Sequence, residues 1–95
     1  MANMTEIYRG DEANKLLEND IYIESMQKVR DGIVKAMQDA PMGDEKTHNR
    51  LVIALQLLNQ IEKQIKDIAT TGKMAKLQFE QQSTMRERFR NVSGF

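Results

Sequence analysis

The stretch THNRLVIALQLLNQIEKQIKDI, residues 47–68, decides the fold. Within it Thr47, Leu51, Ala54, Leu58, Ile61, Ile65 and Ile68 recur at alternating steps of four and three. On a helix that spacing makes one continuous stripe, the seam along which a second helix packs. Between Leu51 and Leu58 nearly every side is apolar. A simple hairpin therefore leaves Val52, Ile53, Leu55 and Leu57 partly uncovered, and the N-terminal segment, the C-terminal segment or another copy of the chain must cover them. From Asn59 onward the pattern narrows to Ile61, Ile65 and Ile68, and Glu62 with Lys66 has the favourable acid-then-base order at i,i+4.

Working toward the N-terminus, Pro41-Met42-Gly43 separates this helix from an earlier one. Proline cannot continue a helical ladder, and it pushes the residue before it out of the α region. Asp44 is placed to cap the second helix, with Glu45 adding negative charge to its first turn. So short a linker folds the two helices antiparallel. The spacing predicts a first helix from about Asp11 to Ala40, with Asp11 as its N-cap after Gly10. Tyr22, Met26, Val29, Ile33, Ala36 and Ala40 share one of its faces. Asn19-Asp20 disfavours a helix interior, which leaves open whether this helix is continuous or divides into 11–18 and 20–40. Gly32 costs about 1 kcal/mol relative to alanine in a helix, and a close helix–helix crossing there would account for it.

Toward the C-terminus, Gly72 after Thr70-Thr71 reads as a left-handed glycine ending the second helix near Thr70. Lys73 to about Arg90 carries Met74, Leu77, Phe79, Met85 and Phe89 in a poor helical pattern around the polar Gln81-Gln82-Ser83-Thr84. A frayed or partner-dependent helix is expected there. The resulting organisation is a polar N-terminal arm over 1–10, a helical hairpin over 11–72, and a basic, partly helical tail over 73–95.

Ninety-five residues make one domain at most. Two helices bury only one stripe each, so self-association or docking onto a partner is the expected way to finish the core. Fourteen basic and fourteen acidic side chains balance, and no global field draws the protein to nucleic acid or anionic lipid. The balance is uneven along the chain: beyond residue 50, seven basic residues face only Glu62, Asp67, Glu80 and Glu87. Cysteine is absent, so a disulfide framework and thiolate chemistry are excluded. With no apolar run of spanning length and no signal pattern at the N-terminus, a cytoplasmic protein without membrane contact is expected.

Catalytic chemistry finds little support. The single histidine, His48, lies within one turn of Asp44 and Glu45, but one histidine and two capping carboxylates fall short of a metal-ligand set. The carboxylate pairs Asp11-Glu12 and Asp44-Glu45 sit at expected helix starts, where the macrodipole accounts for them. There is no nucleophile elbow and no phosphate-cradling glycine loop. No enzyme, cofactor or metal is therefore expected. Ligand contact is best sought in the C-terminal segment, where Arg86, Arg88 and Arg90 flank Phe89 downstream of Lys73 and Lys76. Arginines interleaved with an aromatic ring suit phosphates and stacked bases, though a solvated tail or an acidic protein surface accounts for them as well. Met26 and Met37 read as core fillers; Met42, Met74 and Met85 suit adaptable protein contacts.

The segments Ala13-Asn14-Lys15-Leu16-Leu17-Glu18-Asn19, Glu24-Ser25-Met26, Arg30-Asp31-Gly32-Ile33, Ala40-Pro41, Asp44 to Leu51 and Thr71-Gly72-Lys73-Met74-Ala75 together resemble a group of small helical-hairpin proteins of tailed bacteriophages and prophages. Genes for that group often lie near head and packaging genes. The resemblance spans about residues 11 to 76. It implies a phage or prophage origin and an accessory or structural role, in the host cytoplasm or the virion, and supplies no catalytic residues. A fainter likeness is to the anti-CBASS cyclic-oligonucleotide sponges of phages. Asp44-Glu45-Lys46-Thr47 stands where the second helix of those proteins opens, and their tryptophan-containing segment is missing here.

The expected fold is an all-α antiparallel hairpin completed by oligomerisation, with a four-helix dimer as the simplest closure. Leu51, Leu55, Leu58, Ile61 and Ile65 are the expected oligomer interface. Lys73, Lys76, Arg86, Arg88, Phe89 and Arg90 are the expected contacts to another phage protein or to nucleic acid. Particle assembly or DNA packaging is the leading functional expectation. A nucleotide-sequestering inhibitor of host defence and a small DNA-binding regulator are the alternatives, the last opposed by the lack of a strongly basic recognition helix.

Overall fold

A computed structural model describes the backbone of residues 4–93 and the side chains of residues 4–88. Three helices account for the described chain: α1 (Met4–Glu18), α2 (Asp20–Asp39) and α3 (Glu45–Ser93). The fold is all-α. α1 and α2 run one after the other along α3, antiparallel to it, and both pack against it. The hairpin turn is built as its residues dictate. Asp44 accepts the Thr47 backbone N–H at 3.1 Å and the Thr47 hydroxyl at 2.6 Å, satisfying one of the open donors at the start of α3. Those two bonds hold the Asp44 carboxyl below the usual carboxylate range.

At Asn19 the structure has the break that propensity left open. Asn19 is extended (φ −71°, ψ 122°) and its side-chain oxygen accepts the Tyr22 N–H at 3.0 Å, so it serves as N-cap of α2. Both helix ends expected at glycines are corrected. Residues 4–10, read as the larger part of a polar arm, are the first turns of α1, and Asp11 lies inside that helix rather than at its cap. Gly72 is helical with no positive φ, and α3 runs through it to Ser93, so the segment after Lys73 is a continuation of α3 rather than a third helix.

One contact explains both corrections. A Cβ built on Gly10 would lie 2.6 Å from the Gly72 Cα, and one built on Gly72 would lie 2.5 Å from the Gly10 Cα and 2.8 Å from the Glu6 carbonyl oxygen. The backbones of α1 and α3 touch at this point. Ala13 on α1, with Ala69 and Ala75 on α3, is buried around the same crossing. The helical cost of each glycine is offset by the approach it permits. Gly32 is the opposite case. Nothing lies within 4 Å of a Cβ built there, so the expected crossing at Gly32 is absent and the real one is at Gly10 and Gly72.

The α2–α3 half is held by side chains. Tyr22, Met26, Ile33, Ala36 and Met37 on α2 are half-buried, as are Leu51, Ala54 and Leu55 on α3, with Leu58 buried. Arg30 bonds Glu62 at 2.7 Å and Asn59 at 3.3 Å across the helices. The seam departs from the expected heptad at this point: Glu62 turns inward to meet Arg30, and Ile61 is left outside. Hydrogen bonds from Lys66 and then from Arg30 hold the Glu62 carboxyl below its usual range. The Tyr22 hydroxyl is buried with no hydrogen-bond partner.

Candidate functional site: two sides of the hairpin

The core is thin. No large side chain among the described residues is fully buried, and the buried apolar set is Ala13, Leu58, Ala69 and Ala75. The chain exposes 7911 Å². A compact monomer of 11.0 kDa would expose about 5,600 Å². The radius of gyration is 21.6 Å, where a compact domain of this length has about 12 Å. The molecule is a rod 79 Å long, set by the 49 residues of α3.

Helical geometry sorts the exposed side chains onto two flanks of the α2–α3 seam. Arg30, Asn59 and Glu62 define one flank and fix the register of the two helices. Gln27, Ile23 and Lys66 line a groove beside them. Further along α3 this flank opens into a groove of about 580 Å³ beside the glycine crossing, lined by Asn14, Lys66, Thr70, Lys73 and Lys76, with Asp11 and Glu80 also on its walls.

The other flank is more apolar. Ile53, Leu57 and Ile61 form a ridge at i, i+4 and i+8 on α3, exposed by 54%, 61% and 55%. The antiparallel register sets Val29 of α2, 51% exposed, level with Ile61 on this same side. Ser25, Val29, Gly32 and Ala36 step by four, three and four along the adjoining edge of α2. The flank continues past the break at Asn19 into a shallow apolar groove lined by Tyr8, Leu16, Ile65 and Ile68.

Of the expected interface residues, Leu58 is buried and Leu51, Leu55 and Ile65 are half-buried within the chain itself, while Ile61 faces outward. Val52, Ile53 and Leu57 are exposed as the local pattern implied. Val29, expected on the α2 seam face with Tyr22 and Met26, is instead exposed at the edge of that seam, and the small residues beside it are not among the expected contacts. The signal for this edge was the four-three-four spacing of Ser25, Val29, Gly32 and Ala36, a second stripe offset from the α2 seam.

The expected basic contacts are not gathered on one face. Lys73 and Lys76 border the groove together with Glu80. Arg86 and Arg88 are exposed on the continuous helix, where two residues' separation turns them to nearly opposite sides, with Glu87 between. The expectations for Phe89 and Arg90 lie outside the described side chains. The His48 ring nitrogen is 3.1 Å from the Pro41 carbonyl oxygen, closing the turn, and Asp44 is committed to capping. No group of three or more possible metal ligands occurs among the described residues. No described helix is long and apolar enough to cross a membrane.

Comparisons with protein-family models, curated proteins and solved structures find no match for the chain.

Proposed function

We propose that the protein is a non-catalytic assembly factor that works by helix-mediated self-association and by presenting the far end of α3 to a partner. The observation that carries this reading is the apolar flank of Val29, Ile53, Leu57 and Ile61, left exposed by a chain in which no large side chain among the described residues is fully buried. Beyond the level of Met4, no described helix of the chain lies beside α3. Residues 76–88 are all exposed and carry Leu77, Phe79 and Met85 as well as Arg86 and Arg88. An unsupported helix of that length is marginal in water, which suits a segment that is stabilised by docking. The resemblance to small hairpin proteins of tailed phages makes particle assembly or DNA packaging the setting we favour. Light scattering on the full chain tests the reading. Self-association predicts a mass that is a multiple of 11.0 kDa and falls on Leu57→Asp; a monomer at micromolar concentrations contradicts it.

One observation favours a second reading, sequestration of a nucleotide: Lys66, Lys73 and Lys76 border a single groove. A rise in melting temperature on adding cyclic di- or trinucleotides, abolished by Lys73→Ala with Lys76→Ala, would support it. No shift would remove it.

A further inference from the structure

We infer that the occupant of the apolar flank is a second copy of this chain, seated so that the Ile53, Leu57 and Ile61 ridge of each α3 lies in the Ser25, Val29, Gly32 and Ala36 stripe of the other copy's α2. The inference rests on self-association and specifies its surface and geometry. The ridge and the stripe lie side by side on one flank of the hairpin. A twofold axis parallel to the rod and running through that flank brings each ridge onto the other copy's stripe. Such an axis preserves height along the rod. The register fixed by Arg30 against Asn59 and Glu62 then sets Ile61 against Val29, Leu57 against Gly32, and Ile53 against Ala36 of the second copy. At two of the three levels a large side chain meets a small one, Leu57 on Gly32 and Ile53 on Ala36, and at the third two β-branched side chains, Ile61 and Val29, pack together.

Three further observations agree. Gly32 sits mid-helix with open space where its side chain would be, and nothing within its own chain accounts for it. The Leu57 of a second copy fills that space. The end of α2 carries no basic residue in its last turn, and Asp39 lies there on the same flank. The proposed register brings the second copy's Arg50 level with that negatively polarised end. The surplus surface of the whole rod, the α3 extension included, is also larger than what a dimer buries. A stable dimer buries about 800 Å² on each partner, and the chain exposes about 2,300 Å² more than a compact monomer of its mass. In this dimer both α3 extensions leave from the same end, as a pair of adjacent arms.

The absence of cysteine makes the test clean. Gly32→Leu places a side chain where its own chain is open, so it should leave the hairpin's circular-dichroism helicity intact while halving the mass of the assembly. In parallel, Leu57→Cys and Gly32→Cys chains are mixed and oxidised. The expected product is the mixed disulfide between the two variants, with little linkage of Leu57→Cys to itself. A dimer that survives Gly32→Leu overturns the proposal. So does Leu57→Cys linking chiefly to itself, which marks an antiparallel pairing with the arms at opposite ends. Either result would leave self-association standing, whereas a wild-type monomer would remove both.

Discussion

The two halves of the rod are held by different means. Where α1 crosses α3, Gly10 and Gly72 bring backbone against backbone, and the surrounding buried residues are alanines. Where α2 runs along α3, side chains fill the seam around Leu58, and one ion pair, Arg30 with Glu62, fixes the register. The first half gains its stability from close approach and tolerates no added volume. The second keeps its helices further apart, and side chains that do not fit the seam are left on its flanks. The contrast explains why three glycines inside helices play different roles.

The largest expected effect lies at the crossing. Gly72→Leu cannot be accommodated against the Gly10 backbone, and should cost 3 kcal/mol or more, about the upper end for overpacking, in chemical denaturation of the full chain. An unchanged midpoint would mean that α1 is not seated there. In the α2–α3 half, Leu58→Ala should cost about 2 kcal/mol, the low end for a buried leucine, because the neighbouring side chains are only half-buried and can close on the gap. Arg30→Ala should cost less, about 1 kcal/mol, since the pair is partly exposed and Lys66 remains to hold Glu62.

The pH dependence of that pair has a definite sign. The folded carboxyl of Glu62 titrates below its unfolded value, so its contribution is fully present above about pH 4.3. It is lost as pH falls through the lower folded value, and Arg30→Ala should flatten that limb of a stability-against-pH curve. The smallest effect expected is at Tyr22. Tyr22→Phe removes a buried hydroxyl without a partner, and should leave stability unchanged or raise it by about 1 kcal/mol in the same denaturation assay.

The parts of this fold legible in the sequence were those decided within a few residues. Pro41 ends α2, Asp44 caps α3, and the α2 stripe from Tyr22 to Ala40, with the exception of Val29, is read from its spacing alone. What was not legible depended on partners distant in sequence. A glycine that ends a helix and a glycine at which two helices cross are the same letter, so Gly10 and Gly72 were read as ends. The distinguishing sign was the small residue three positions away in each segment, Ala13 beside Gly10, and Ala69 and Ala75 around Gly72. Ile61 was placed on the seam by its heptad position, and only the reach of Arg30 across the helices shows why Glu62 takes the inward place. The candidate surface was half legible. Ile53 and Leu57 declared a need for cover on one side and Val52, seven residues before Asn59, on the other, but which edge of α2 lay next to each required the Arg30 register.

Thermal unfolding of the full chain across about a hundredfold range of protein concentration tests the central claim most directly, because association of the folded state makes the transition depend on concentration. The account predicts a melting temperature that climbs steadily with concentration, as expected when the apolar flank is closed by another chain. A melting temperature that stays constant over the whole range would show that a single chain is stable with that flank open to water, and would contradict it.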